Sequence, residues 1–254
     1  MKKFNIIIAK RERDEYLRWC LHFLNKANRE KKHDVNIYVI DDSQIVPRED
    51  DNYNNVKVFR YYWRVSNDFN KSSLLNYGLK IMRHDFDYVS IVDVDIVYSS
   101  EFFDKIASRV DDNIWYVSSG YKLTAEAMYE DFNVINWQDL SRYTDNSLIE
   151  ENIRQLYPSQ ITLSVLLYYK ILLIMKWKNL YNDKFIGWGG EDSVLSSLSS
   201  DLQRKGILKK IYDQNMWLHL YHKKLNNNAK QYEKNKILFH ELVKKNREYL
   251  RSIK

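Results

Sequence analysis

Short apolar runs alternate with amphipathic stretches through the first hundred residues, and the clearest of them end in charged residues. Asn5 to Ala9 reads as a buried strand. From Asp14 to Asn28 the positions Tyr16, Trp19, Cys20, Phe23 and Leu24 recur at three- and four-residue spacing, which predicts a helix. Val35 to Ile40 is a second strand ending at Asp41-Asp42-Ser43, and Val56 to Phe59 a short third one. The pattern from Phe69 to Met82 is helical again, and Tyr88 to Val92 is an apolar strand ending at Asp93-Val94-Asp95. Strands alternating with helices predict an α/β fold with a doubly wound, mainly parallel sheet and flanking helices. Ligands of such sheets bind beyond the carboxyl ends of the strands, where the acidic tips at Asp41 and Asp93 fall.

Farther along, Tyr121 to Pro158 is irregular and polar-aromatic, suited to a lid or an acceptor-binding loop or to a helical excursion. Leu163 to Trp177 is apolar and expected in the core. A Gly-rich turn between Phe185 and Asp192 precedes a helix from about Ser193 to Arg204. The composition then shifts to Lys, Asn and Glu, with Ile237, Leu238, Leu242, Tyr249 and Leu250 spaced as in a basic amphipathic helix. Residues 1–222 are thus expected to form one α/β domain and residues 223–254 a basic tail. The tail either packs its apolar stripe on that domain or lies on an anionic membrane surface.

At 254 residues the chain is long enough to bury a substantial core. No run approaches the ~18 consecutive apolar residues of a membrane span, and the apolar N-terminal stretch is too short for a signal peptide. A soluble, cytoplasmic protein is expected, with peripheral contact to the inner face of the plasma membrane left open. Cys20 is the single cysteine, so no intrachain disulfide forms, and its place on the first helix suits a core position. The net charge of +6 fits nucleic acid, a membrane surface or a diphosphate ligand alike, and the 20 tyrosines and 7 tryptophans suit sugar rings or bases.

Two strings carry chemistry. Asp93-Val94-Asp95 sets two carboxylates at a strand end; in a strict strand both would share one face. Hard divalent cations need anionic oxygens, and a diphosphate leaving group needs such a cation, although an Asp-x-Asp triplet also serves simply as a loop cap. The second, rarer string runs Lys184-Phe-Ile-Gly-Trp-Gly-Gly-Glu-Asp192. Its glycines allow close backbone approach to a ligand, Trp188 offers a face to a sugar, and Glu191 and Asp192 meet the start of a helix. One of them is placed to act as a general base on an acceptor hydroxyl. His219 and His222, three apart, share a metal in a turn or helix but point to opposite faces of a strand.

Taken in order, these segments resemble the β-1,4-galactosyltransferase group and related bacterial glycosyltransferases of the GT-A fold. Ala9-Lys-Arg-Glu-Arg13 with Tyr16-Leu17 is similar to that family's Pro-Phe-Arg-Asn-Arg segment. Phe69-Asn-Lys-Ser-Ser-Leu-Leu-Asn-Tyr-Gly78 is similar to Phe-Asn-Arg-x-x-Leu-Leu-Asn-x-Gly, and Asp93-Val-Asp95 and Gly187-Trp-Gly-Gly-Glu-Asp192 match without change. The resemblance implies an inverting, metal-dependent hexosyltransferase that moves a sugar from a UDP-sugar to a glycan hydroxyl. Arg11, Arg13, Asp42, Phe69, Lys71, Asp93 and Val94 would then contact the nucleotide. Trp188, Gly189, Gly190 and Glu191 would hold the donor and acceptor sugars, and Asp192 would be the catalytic base. Mn²⁺ or Mg²⁺ would be bound by Asp95 with a histidine set in which two registers compete. Met216-Trp-Leu-His219 matches the family literally; His219 with His222 supplies the better ligands.

This chain departs from the family at Ala9-Lys10, at Lys71 in place of arginine and at Ser193. Galactose leads as the donor sugar, with N-acetylhexosamines and glucose behind it. The acceptor is expected to be a bacterial surface polysaccharide or lipid-linked oligosaccharide. Competing classes are a sugar nucleotidyltransferase, which would carry a Gly-rich loop where Lys10-Arg-Glu-Arg13 has no glycine, a catalytically silent carbohydrate-binding relative, and a nucleic-acid-binding module. No nucleic-acid motif is recognisable, and no nucleic-acid partner is expected.

Overall fold

The computed structural model describes residues 1–43, 53–62, 68–122, 160–187, 189–220 and 229–253. Eight strands form one sheet in the order β3-β2-β1-β4-β7-β6-β8-β5. Its parallel half consists of β1 (Lys3–Lys10), β2 (Asp34–Asp41), β3 (Val56–Arg60) and β4 (Tyr88–Asp93). The mixed half holds β5 (Ile96–Tyr98), β6 (Ile114–Lys122), β7 (Gln160–Ser164) and β8 (Lys209–His219), with β7 running antiparallel between β4 and β6.

Alternation along β1 divides the core in two. Phe4, Ile6 and Ile8 face the side covered by α1 (Asp14–Ala27) and α3 (Phe102–Arg109), packing with Leu17, Cys20, Phe103 and Ile106. Ile7 and Ala9 face the side of α2 (Lys71–Ile81), α4 (Val165–Met175) and α5 (Glu191–Arg204), meeting Leu74, Leu75, Ile171 and Leu198. A strand buried on both faces loses the polar half of its pattern, which is why β1 reads as a continuous apolar run. Cys20 is a fully buried core residue, and burial pushes its thiol up, so it is unreactive in the folded protein.

The first three strands and first two helices agree with the sequence reading within two residues at each end. The segment 163–177 differs: it divides into the end of β7 and α4, and α4 leaves Leu166, Tyr169 and Leu173 exposed rather than in the core. An apolar run lacks the polar positions that would mark its solvent face. Helix α5 starts at Glu191, earlier than Ser193, because Gly190 adopts φ 105° and serves as its N-cap. The C-terminal helix α6 (Ala229–Ser252) packs on α5 and buries Asn235, Val243, Asn246 and Leu250; of the expected stripe Leu250 is buried and Ile237 is exposed. Most of the Tyr121–Pro158 segment lies outside the described residues, as do Trp188 and His222.

Gly78 and Gly120 both lie in close approach to their neighbours. A Cβ on Gly78 would come 2.5 Å from Ile7 Cγ2, and one on Gly120 would come 1.8 Å from the Trp217 carbonyl oxygen. Side chains can shift by a few tenths of an ångström; a paired strand backbone cannot do so without breaking its ladder. Gly78→Ala is therefore expected to cost about 1–3 kcal/mol and Gly120→Ala more, with the larger drop in melting temperature for Gly120→Ala in differential scanning fluorimetry. Equal Tm values for the two variants would contradict this packing.

Candidate active site

The parallel strands β1, β2 and β4 deliver their carboxyl ends to one rim. At the end of β1, Lys10 is completely buried, with Nζ 3.0 Å from Asp41 Oδ2, 3.1 Å from Ser43 Oγ and 2.6 Å from Asp14 Oδ1. A buried ammonium needs such oxygens to offset its desolvation. Arg11 donates through Nε to Asp42 Oδ2 at 2.9 Å, and its guanidinium lies 5.5 Å from the centroid of the Phe69 ring. Glu12 and Arg13 both take left-handed backbone angles, φ 54° and 61°, which turn the chain sharply into α1. Such angles are costly away from glycine and mark an over-determined segment. Ser43 Oγ accepts from the Glu12 amide at 2.6 Å and so ties the ends of β1 and β2 together.

The two aspartates of Asp93-Val94-Asp95 do not share a face, because β4 ends at Asp93 and the chain turns over the next two residues. Asp95, 3% exposed, pairs with the Arg13 guanidinium and has Oδ1 3.5 Å from His219 Nε2, where β8 ends. Asp93 is oriented by Gln160 of β7, whose amide donates to Asp93 Oδ2 at 2.8 Å and whose carbonyl oxygen accepts from the Asp93 backbone N–H at 2.9 Å.

Lys71 binds these parts together. It is the first residue of α2, where the helix dipole disfavours a cation. Its ammonium nevertheless sits 2.8 Å from Asp93, 2.9 Å from Asp192 and 3.8 Å from Glu191. Burial favours the neutral amine, but the three carboxylates outweigh it and hold Lys71 well above the usual lysine range. The Asn70 side chain caps α2 by accepting from the Ser73 N–H at 2.9 Å, and its amide donates to the Asp183 carbonyl at 3.0 Å. Gly187 N–H donates to Phe69 O at 2.7 Å, so the start of α2 and the Gly-rich loop are laced together.

Gly187, Gly189 and Gly190 all take positive φ, between 75° and 105°. That backbone delivers Glu191 and Asp192 to the first turn of α5, where the dipole favours anions. Burial, reinforced by the charge of Asp192 and opposed by Lys71, pushes the Glu191 carboxyl up to about 7. The Asp192 carboxyl is raised as well, by desolvation and by Asp93, against the pull of Lys71. A recess beside Asp192 is walled by Trp115, Val117, Ile161 and Lys210.

Sequence reasoning missed Lys10, Gln160 and Asn235 as site-supporting residues. The spacing of Lys10 and Asp14 was a faint signal for the first; nothing local marks the other two, whose partners are distant in the chain. Asp95 and His219 are suited as donors to a divalent cation, a hard carboxylate oxygen and an imidazole. Among the described residues no three His, Cys, Asp or Glu side chains gather closely enough to hold a metal. Met216 is fully buried in the apolar cluster with Ile6, Ile8 and Tyr116.

A raised carboxyl pKa in the folded state lowers stability as pH rises from the unfolded value of 4.5 through about 7. Glu191→Gln removes that ionisation. The variant is expected to be more stable than the wild type at pH 8 by about 1–3 kcal/mol, with the difference shrinking as pH falls to 5. Urea denaturation at the two pH values measures it, and a pH-independent difference would contradict the burial of Glu191.

Residues 5–158 match the profile of glycosyl transferase family 2. No curated protein matches the sequence. Among solved structures, the chain is similar to a mutant of Drosophila β1,4-galactosyltransferase 7 in complex with manganese, UDP-Gal and xylobiose, with a TM-score of 0.53 and 14% identity over 92% of this chain and 79% of that one. It is also similar to S. aureus TarS 1–349, with a TM-score of 0.56 and 14% identity over 94% of this chain and 65% of that one. For the TarS complex with UDP-GlcNAc the TM-score is 0.56 and the coverage 88% and 60%. At such identities the likeness carries the GT-A architecture, and the profile match carries the family: this chain belongs to glycosyl transferase family 2 and is a glycosyltransferase.

Proposed function

We propose that the enzyme transfers a hexose or N-acetylhexosamine from a UDP-sugar to a glycan hydroxyl with inversion, using Asp192 as the base. The observation that carries this reading is the cluster around Lys71: Asp93 from the end of β4 and Asp192 from the start of α5 both lie within 3 Å of one ammonium. In this reading Asp93 would face the donor and Asp192 the acceptor, so that the two sides of the transfer would meet at one point.

In the proposed reaction the acceptor oxygen attacks the anomeric carbon from the face opposite the leaving diphosphate. The new C–O bond forms as the bond to the β-phosphate oxygen breaks, and Asp192 takes the hydroxyl proton. Ionised Asp192 is the active form; desolvation of the cleft disfavours it and Lys71 favours it. Arg11 stacked over Phe69, with Asp42, suits the uridine end; Arg13 suits the diphosphate. Asp93, 2.8 Å from Lys71, and the neighbouring Val94 would lie on the donor side. Gly189, Gly190 and Glu191 form the sugar-binding turn, with Trp188 as an expected sugar platform.

Asp95 and His219, with His222, would hold Mn²⁺ or Mg²⁺, whose charge would offset that of the departing diphosphate. Complexes of two structural neighbours contain UDP-Gal with manganese and UDP-GlcNAc, which supports a UDP-sugar donor here. The acceptor side is read as a surface polysaccharide or lipid-linked oligosaccharide made on the cytoplasmic face. The basic residues 223–254 would form a tail suited to an anionic membrane surface. Among the described residues no helix is long and apolar enough to cross a membrane.

A donor screen tests the whole reading: purified protein, a panel of UDP-sugars with MnCl₂, and UDP release with and without EDTA. Metal-dependent release from one sugar is expected; no release and no binding would overturn it. Asp192→Asn is expected to lower kcat by at least about 10³-fold while leaving the Kd for UDP-sugar within about twofold. Asp95→Ala should instead weaken Mn²⁺-dependent donor binding in titration calorimetry. Because the Asp192 carboxyl is raised, transfer should be lost on the acid side above the usual aspartate range, as a pH–rate profile would read.

A further inference from the structure

We propose that Asn235, on the C-terminal helix, is a positioning residue for transfer: it clamps the Gly-rich loop that carries Glu191 and Asp192. The side chain is 2% exposed, and its amide nitrogen donates to two carbonyls of that loop, Ile186 O at 2.8 Å and Gly189 O at 3.1 Å. Gln231, one turn earlier, donates to Asn235 Oδ1 at 3.1 Å, which fixes the amide with its donor side toward the loop.

Three facts make this clamp more than packing. The loop has positive φ at Gly187, Gly189 and Gly190, a conformation that glycine permits but does not enforce, so it must be held from outside. Its other side is already held, by the Gly187 N–H bond to Phe69 O, so Asn235 closes a two-sided grip. A Cβ on Gly187 would stand 3.4 Å from Gln231 Cγ and one on Gly189 3.8 Å from the Tyr232 ring, which places the first turns of α6 directly against the loop.

The helix that presents Asn235 is anchored far from the site. Arg247 Nε donates to Asp201 Oδ2 at 3.2 Å, the Tyr249 hydroxyl to Ile174 O at 2.9 Å and Lys205 Nζ to Ile253 O at 2.9 Å. With 24 residues, α6 is roughly 36 Å long, a strut from the body of the protein to the loop. The basic segment that reads in sequence as an appendage thereby helps to set where the proposed base stands.

This inference rests on the assignment of Glu191 and Asp192 to transfer, so its test has one readout that does not need activity. Asn235→Asp keeps the shape but replaces the donor with oxygens facing two carbonyls; Gln231→Ala keeps Asn235 and removes the group that orients it. In the full-length protein, hydrogen exchange followed by mass spectrometry is expected to be at least tenfold faster in the peptide spanning residues 185–192 in both variants. Exchange in β1 and β4 should not change.

With the donor found in the screen, kcat should fall on the order of 10- to 100-fold for Asn235→Asp and by less for Gln231→Ala. The Kd for UDP should stay within twofold, a split that general destabilisation would not produce. Loop exchange or kcat within twofold of the wild type in both variants would overturn the proposal. A wild type with no transfer from any donor would sink the functional reading instead, and loop exchange alone would then decide for or against the clamp.

Discussion

A single ammonium, that of Lys71, is the point on which the cleft depends. Three carboxylates from two separate elements converge on it, and without a cation between them they would repel one another in a partly desolvated space. The pairing also works in reverse, since a cation at the first position of a helix needs anions to offset the dipole. Helix α2 holds that position because Asn70 caps it and Gly78 lets it lie close on β1 and β2. Strand β4 and helix α5 are thereby brought to a common edge, which gives the Asp93 and Asp192 carboxylates complementary surroundings around one charge.

The remaining charges follow a similar rule. Lys10 with Asp14 and Asp41, Arg11 with Asp42, and Arg13 with Asp95 each set a cation from the end of β1, or just beyond it, against an acid. The rim is therefore a band of paired charges, which in the proposed function would meet a ligand carrying both a diphosphate and polar sugar hydroxyls. Holding such groups rigidly before the ligand arrives is what makes their electrostatics useful in a reaction, because little reorganisation remains to be done.

Rigidity of the Gly-rich turn comes from a different source. The Gly-rich turn has no side chains at its glycines with which to fix itself, and its carbonyls are held by Asn235 from a helix more than forty residues away in the chain. The glycines and the clamp are two halves of one solution: freedom to adopt an unusual path, and external bonds to keep it.

Much of the fold was legible in local pattern. The β1, β2 and β4 runs, the amphipathic α1 and the acid-tipped strand ends declare themselves because a 3.6-residue period, or an apolar run stopped by charge, depends only on near neighbours in the chain. The strings Asp93-Val-Asp95 and Gly187-Trp-Gly-Gly-Glu-Asp192 could likewise be singled out as chemistry by their residue types alone. Tertiary structure decided which groups meet. It split Asp93 from Asp95, gave Lys71 to the carboxylates, exposed one side of α4, and recruited Gln160 and Asn235. The contacts made by Lys71, Gln160 and Asn235 join residues from about twenty to more than a hundred positions apart, and such a contact leaves no period, spacing or composition for a single sequence to display.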